Sequence, residues 1–416
     1  MKVLILSTFG NYGGASVCSR RLAEAMSKHN VDVKLACIHK HSNSIAQSVF
    51  DKPRLASIYA WILFCLERLI VLFSIVKQKY LYKFSSSAYG INILNSTLVK
   101  EADIIHLHWV NFGFLSIESI AKLAKQKPVI WTLHDMWAFT GGCHYALECS
   151  NYKALCSNCF YLRNDKIAES IQAKKVTYWK EININIAATS RWLAQCAKQS
   201  TIFNNREIDV LSTPIDTDLF RPKGNRDALL STYGLERDKY YILIGAVDLT
   251  DERKGMLYLF DAITEAKHYT LDIHILTFGQ LPKNALQQHA HTSFGSISDQ
   301  EMLVDIYNLA DVFILTSVQD NLPNTVMEAL SCGVPVVAFD CGGVNDMVEH
   351  KVNGYLAENR NVNDLASGLH YFHDNKGRLK AGQNAREKVL NTYSEEALVM
   401  QHVETYEQII SNYHSK

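Results

Sequence analysis

Two carboxylates stand eight positions apart in Thr316-Ser317-Val318-Gln319-Asp320-Asn321-Leu322-Pro323-Asn324-Thr325-Val326-Met327-Glu328-Ala329-Leu330-Ser331-Cys332-Gly333-Val334-Pro335. They are Asp320 and Glu328. The apolar run Val312–Leu315 before them reads as a buried strand, and Thr325–Leu330 reads as a helix. Asn324 is the expected N-cap, so the amides after it would be unpaired and face the loop. Such a helix start attracts phosphate through its N–H groups and the positive end of its dipole. Glu328, about one turn inside, would accept hydrogen bonds from hydroxyls beside that phosphate. Amides for a diphosphate and acids for hydroxyls suit a sugar nucleotide. Two solvated acids on a surface loop would show the same spacing. The specificity comes from Gly333-Val334-Pro335 and the apolar strand that follows.

A cation, a glycine turn and a histidine extend the set. Asp251-Glu252-Arg253-Lys254-Gly255 follows one expected strand and opens a helix. Lys254 there can neutralise charge on a leaving nucleoside diphosphate. A solvated, charged helix start is the competing account. Gly10, Gly13 and Gly14 follow the strand Val3–Ser7, and glycines let backbone approach a phosphate closely. A plain strand-to-helix turn competes here. The dinucleotide fingerprint does not fit, because Gly10-x-x-Gly13-Gly14 is not G-x-G-x-x-G. His39-Lys40-His41 also stands where that fingerprint needs an acid. His134 closes the run Val129–Leu133 and precedes Asp135. It could donate to a sugar hydroxyl or to charge in a transition state. His106 and His108 end another strand and read as structural.

Taken together, these segments resemble glycosyltransferase family 4. Its motif has an acid, seven intervening residues, a Glu, a small-residue helix and a Gly-x-Pro turn, with Asp320 here in place of the usual Glu. Lys254 matches the family's Lys. The family's Arg falls on Ala246 or Val247, which leaves Arg253 as the substitute. Gly13 and Gly14 match the family's Gly-Gly loop. His134 followed by Asp135-Met136-Trp137 is similar to a bacterial branch that builds surface polysaccharides. The resemblance implies the GT-B architecture: two Rossmann-like parallel-sheet α/β domains facing across a cleft, with a C-terminal helix crossing back to the first. It implies retention of anomeric configuration without a metal or other cofactor in the chemistry. The leaving phosphate oxygen would accept the acceptor's proton, and no catalytic base is named. The donor would be a UDP- or GDP-linked sugar, the acceptor a hydroxyl of a glycan or polyprenyl-linked glycan. His134, Lys254, Asp320 and Glu328 form the implied catalytic set. Gly13, Gly14, Arg253, Lys254, Asn324, Thr325, Val326 and Glu328 form the implied donor-binding set. A sugar-nucleotide epimerase on the same architecture would need acids and a His around C2, and no distinct set is visible. A non-catalytic sugar-binding scaffold is the remaining alternative.

The elements that must hold these residues alternate along the chain. Its 416 residues exceed one ordinary core and suggest two domains. Further strands are expected at Val31–Ile38, Asp103–His108, Ile184–Thr189 and Ile208–Leu211. The second half repeats the rhythm at Tyr241–Val247, Leu271–Thr277, Val312–Leu315 and Val336–Phe339. Continuous apolar strands separated by helices imply parallel sheets covered on both faces. Thr213–Pro222, bracketed by two prolines, interrupts the pattern. The expected division is 1–212, 213–393 and a terminal helical segment 394–416. Lys+Arg and Asp+Glu both total 42, so no net positive charge favours nucleic acid. Lys2 and Val3–Leu6 are too short for a signal peptide, so a cytoplasmic protein with reduced thiols is expected.

Two segments stand outside this scheme. Cys143, Cys149, Cys156 and Cys159 lie just after His134, and Cys156-Ser157-Asn158-Cys159 is a CxxC knuckle that suits a structural zinc. His144 could replace one cysteine. Free thiols and a redox CxxC compete. Residues 58–84 open with the nineteen-residue stretch Ile58–Val76, in which only Glu67, Arg68 and Ser74 are polar. Twelve Ile, Leu, Phe or Val residues would gain roughly 4–7 kcal/mol in a bilayer, and two central charges would cost roughly 5–7 kcal/mol. Spanning would also put strands of one sheet on opposite sides. An interfacial helix or hairpin with Lys77, Lys79 and Lys83 near anionic head groups is the expectation, at the inner face of the cytoplasmic membrane. A buried helix packed on the sheet is the alternative.

Overall fold

The computed structural model describes residues 1–39, 45–50, 53–180, 182–266, 271–281 and 285–415, with backbone only at 53–56. Lys40 and His41 of the His39-Lys40-His41 segment lie outside them. The chain forms two units, Met1–Pro214 with Leu398–Lys416, and Ile215–Ala397.

The first unit is built on seven parallel strands. They are β1 (Lys2–Phe9), β2 (Asp32–His39), β3 (Gln47–Ser48), β4 (Ile104–Leu107), β5 (Val129–Leu133), β6 (Asn185–Ala188) and β7 (Ile208–Val210). Their order is β3-β2-β1-β4-β5-β6-β7. Val3–Leu6 and Ile104–Leu107 are buried on both faces, as continuous apolar runs require. β3 has only two residues and no apolar run, so periodicity could not reveal it. The order reverses between β1 and β4, where loops diverge and leave a crevice at the carboxyl ends of the strands. Helix α1 (Gly14–Lys28) starts there. The terminal helix Glu395–His414 turns Leu398, Val399, His402, Tyr406 and Ile409 inward. Val399, Tyr406 and Ile409 join Ile5, Ile104 and Ile130 in one apolar cluster.

The second unit repeats this plan with six parallel strands. They are β8 (Tyr240–Asp248), β9 (Ile273–Gln280), β10 (His291–Ser293), β11 (Val312–Leu315), β12 (Val336–Phe339) and β13 (Gly354–Ala357). The order β10-β9-β8-β11-β12-β13 reverses between β8 and β11. β10 and β13 are short strands at the two sheet edges, and sequence pattern passed over both. It also passed over the helix Asn375–Thr392, whose buried residues are only Ala381, Gly382, Ala385 and Val389. That seam packs by closeness rather than apolar bulk: a Cβ on Gly382 would stand 2.3 Å from the Gly333 carbonyl oxygen. Hydrophobic periodicity cannot register such a contact.

Helix α2 (Pro53–Ser74) corrects the account of the apolar segment. Ala60, Leu63, Glu67, Arg68 and Val71 are buried, so both charges face the unit rather than its surroundings. Arg68 pairs with Glu67 and donates to the Phe84 carbonyl at 3.1 Å and to the Leu81 carbonyl. Glu67 accepts from the Ser86 amide at 2.9 Å. A buried pair persists only when its remaining hydrogen-bonding capacity is filled in this way. The packed-helix alternative therefore holds for one face of α2 only.

Candidate functional site

The residues singled out in the second unit gather where its sheet order reverses. After β8 the chain makes a single tight turn, Glu252–Lys254, closed by the Asp251 carboxylate accepting from the Arg253 amide at 3.0 Å. Gly255 follows with φ +66°, and a Cβ there would lie 2.0 Å from the Thr316 carbonyl oxygen. Glycine thus allows the loop after β8 to touch the loop after β11. Two hydrogen bonds lock that contact. Thr316 Oγ1 donates to the Lys254 carbonyl at 2.7 Å, and the Val318 amide to the Arg253 carbonyl at 2.9 Å.

Both cations of the first loop then meet the acid of the second. Lys254 Nζ lies 2.7 Å from Asp320 Oδ2, and Arg253 Nη1 lies 3.2 Å from Oδ1. Arg253 Nη1 also donates to the Gln319 carbonyl at 2.8 Å, and Ser317 Oγ donates to Asp320 Oδ2 at 3.3 Å. From behind, the Gly343 amide donates to the Asp320 carbonyl at 3.0 Å. Burial would raise the Asp320 pKa, but the charges of Lys254 and Arg253 outweigh it and hold the carboxyl well below the usual carboxylate range. The site thus keeps an anion and two cations at neutral pH. Arg253, a substitute by elimination in sequence, shares the carboxylate with Lys254.

Asn324 is not the N-cap. The helix is Asn324–Ser331, and Pro323 caps it with extended backbone, φ −67° and ψ 121°, and no side-chain cap bond. Proline has no N–H to satisfy and its fixed φ suits this place. Val326 and Met327 amides donate to the Pro323 carbonyl at 3.0 and 3.3 Å. The amides of Asn324 and Thr325 precede the first intrahelical donor, so they carry whatever anion affinity this end has. Glu328 is buried at the fifth helical position, with Oε2 accepting from Tyr307 Oη at 2.8 Å. Tyr307 comes from the helix Gln300–Leu309 and is fully buried. Sequence reasoning missed it, because apolar periodicity puts the ring inside and says nothing of where its hydroxyl points. Tyr307 thus fixes the position of one carboxylate oxygen of Glu328. Tyr307→Phe is expected to lower kcat/KM about tenfold, the worth of one charge-assisted hydrogen bond. The loss should appear in kcat with the fold intact, and an unchanged kcat would remove Tyr307 from the site.

The first unit places its own candidates at its own reversal point. Gly13 caps α1 with φ +84°, and a Cβ there would meet nothing within 4 Å. Its glycine is demanded by backbone conformation, over open space. His134 follows β5 and His108 follows β4, its neighbour in the sheet. His134 Nε2 and His108 Nδ1 share a hydrogen bond of 2.8 Å. Burial pushes the His134 pKa down to about 4, even with Asp135 alongside. His134 is therefore a neutral imidazole near pH 7. His108 read as structural in sequence, yet it touches the candidate directly. The available signal was its place at the end of the neighbouring strand. His106 is fully buried between Tyr406 Oη and Thr132 Oγ1, each at 2.7 Å.

The loop after His134 is held by polar staples. Asp135 accepts from Trp109 Nε1 at 2.8 Å, from His144 Nδ1 at 2.7 Å and from the Trp137 amide at 2.9 Å. His144 Nε2 is 2.9 Å from Ser85 Oγ, so both its nitrogens are engaged and neither serves a metal. Cys143, Cys149, Cys156 and Cys159 line one cavity of about 20 Å³. Yet among the described residues no three His, Cys, Asp or Glu side chains are grouped as metal ligands. Burial pushes the Cys156 thiol up to about 11 and raises Cys143 and Cys159 as well, which favours protonated sulfur over thiolate. The zinc expectation is thus not supported, and the described cysteines are free thiols. Lys175 takes the structural part instead. It is fully buried, lies 3.9 Å from the Trp137 ring and donates to the Thr140 carbonyl at 3.0 Å and to that of Trp137.

Comparison with known proteins places these features in context. The family described as Glycosyltransferase Family 4 matches residues 12–219, and that described as Glycosyl transferases group 1 matches residues 238–375. An uncharacterized glycosyltransferase of Haemophilus influenzae is 34% identical over 407 residues, 93% of this chain and 97% of the relative. The N,N'-diacetylbacillosaminyl-diphospho-undecaprenol α-1,3-N-acetylgalactosaminyltransferase of Campylobacter jejuni is 24% identical over 62% of this chain and 59% of its own length. Among solved structures, Anabaena HepE in complex with UDP-glucose has a TM-score of 0.67 at 16% identity, over 98% of this chain and 100% of that one. At that identity the likeness shows the fold alone, two parallel-sheet α/β units of the GT-B class.

Proposed function

The chain belongs to glycosyltransferase family 4, and from that premise we propose that it moves a sugar, with retention of configuration, from a nucleotide-linked donor to a hydroxyl of a glycan or polyprenyl-linked glycan during surface-polysaccharide synthesis. The carrying observation is the convergence of Lys254 and Arg253 on Asp320, one helix start away from the buried Glu328. The Asn324 and Thr325 amides and the two cations receive the donor's diphosphate. Glu328 and Asp320 accept from donor hydroxyls. The bond from the anomeric carbon to the phosphate oxygen breaks, the acceptor oxygen bonds to that carbon on the same face, and the acceptor proton passes to the departing phosphate oxygen. No side chain forms a covalent intermediate, so the rate comes from orientation and stabilised charge. Lys254 moves from Asp320 toward the charge that grows on the leaving group. In the first unit Gly13 and Gly14 give backbone room for phosphate, and the neutral His134 donates to a sugar hydroxyl. The C. jejuni relative, by its name, acts on a diphospho-undecaprenol acceptor. A lipid-linked acceptor puts the reaction at the inner face of the cytoplasmic membrane.

A panel of UDP- and GDP-linked sugars tests this. The true donor at a hundred times its Kd should stabilise the folded protein by about 2.7 kcal/mol, read as a rise in Tm. It should also release nucleoside diphosphate when a glycan acceptor is added. A flat Tm across the whole panel would sink the proposal.

A further inference from the structure

Helix α2 leaves its outer face uncovered. Ile58, Trp61, Ile62, Leu66, Leu69 and Phe73 recur at helical spacing and are exposed, Trp61 at 62% and Phe73 at 74%. The window Ser57–Ser74 has mean hydropathy 1.7, yet only 28% of it is buried. Exposed apolar faces of this extent mark a partner or a lipid surface. Glu67 and Arg68 do not interrupt the stripe, because they point inward and are hydrogen-bonded there.

We propose that this outer face docks the protein on an anionic bilayer, α2 lying along the boundary between headgroups and acyl chains. Charge selects lipid over protein. Between Leu69 and Val99 stand Lys77, Lys79 and Lys83 and no acid, in a chain of zero formal net charge. Glu67 is buried against Arg68, so it adds no carboxylate to the outer surface. Lys77 and Lys79, directly after the helix, are exposed. A second copy on the same face would set these cations against their own kind, whereas anionic headgroups complement them. Trp61 and Tyr59, both exposed, are the amphipathic rings that settle at such a boundary. The helix lies on the bilayer and does not cross it, since β2 before it and β4 after it belong to one sheet. The proposal names the surface that would bring the enzyme to a lipid-linked acceptor, and it rests on that reading only for the acceptor.

Flotation of the full chain with vesicles tests it. One set is pure phosphatidylcholine and the other contains one third phosphatidylglycerol. The expected result is at least tenfold stronger binding to the anionic set, weakened by raised salt. Trp61→Glu with Phe73→Glu should abolish flotation at least tenfold, while Tm and the Tm rise on donor binding stay as in the parent. Should that pair fail to fold, Lys77→Glu with Lys79→Glu reads the same surface from exposed positions, and the preference for anionic vesicles should fall by at least fivefold. Equal flotation of the variants and the parent would overturn the proposal. So would no flotation at all, with self-association that Trp61→Glu abolishes, because the face would then be a contact between copies. Flotation without any donor response would instead refute the transferase reading and leave this surface standing.

Discussion

Lys254→Ala should lower kcat about a hundred- to a thousandfold, a loss of about 2.7–4 kcal/mol of transition-state stabilisation. The reasoning starts from what Lys254 does without a donor, which is to neutralise Asp320 at 2.7 Å. A diphosphate entering the loop brings more negative charge beside that pair. Only attraction that grows as the leaving oxygen becomes charged accelerates the step, and a mobile ammonium can follow that growth. Arg253 is pinned to the Gln319 carbonyl at 2.8 Å and is less free to do so. It does remain on Asp320, so removing Lys254 orphans no buried carboxylate and should cost little stability. Asp320→Asn makes the opposite error. It releases both cations, so nucleoside diphosphate should bind several-fold tighter while turnover falls. The double variant should lose less than the two single losses added, because the residues share one interaction. Turnover of Lys254→Ala within threefold of the parent would remove Lys254 from the chemistry.

The alternation of strands and helices was legible because parallel strands buried on both faces are largely apolar, as Val3–Leu6 and Val312–Leu315 are throughout. From that alternation came the topology, and from the topology the loops that carry Gly13, His134, Lys254 and Asp320. Side-chain partners were a different matter. The hydroxyl of Tyr307 finds Glu328 across 21 positions of sequence. No local pattern encodes that bond, which follows from how two helices pack. Asn324 was misplaced because proline at a cap and asparagine at a cap look alike in composition, and one residue of register decided between them. The cysteine cluster misled for a related reason. Spacing proposes ligands, but His144 was already engaged by Asp135 and Ser85. The charges Glu67 and Arg68 were counted in the apolar stretch, but which face they take was not legible, since their partners are the Leu81 and Phe84 carbonyls and the Ser86 amide rather than anything in the helix itself.

Acid should unfold the first unit well above the range where carboxylates titrate. His402, on the terminal helix, is fully buried against His106 and Tyr406. Burial pushes its pKa down to about 4, although its Nδ1 is 2.9 Å from the Leu398 carbonyl oxygen. His106 and His108 lie well below the usual imidazole value, through burial first and then neighbouring imidazoles. The folded protein thus keeps these rings neutral, while the unfolded chain takes up protons near pH 6.5. The stability they allow is complete above pH 6.5 and is lost as pH falls from there toward about 4. Each ring contributes a slope of about 1.4 kcal/mol per pH unit, or about 2 kcal/mol by pH 5. With His134, which burial likewise pushes down to about 4, four such rings cost about 8 kcal/mol, comparable to the whole stability of an ordinary domain. All six tryptophans, from Trp61 to Trp192, belong to the first unit, so their fluorescence in urea reports on it alone. The urea midpoint should be level from pH 8 to 7 and then fall steeply to pH 5. His402→Gln, which has no titrating ring, should remove about one quarter of that slope. A midpoint that stays level to pH 5, or a variant as acid-sensitive as the parent, would show that these rings are charged in the folded state or open to water.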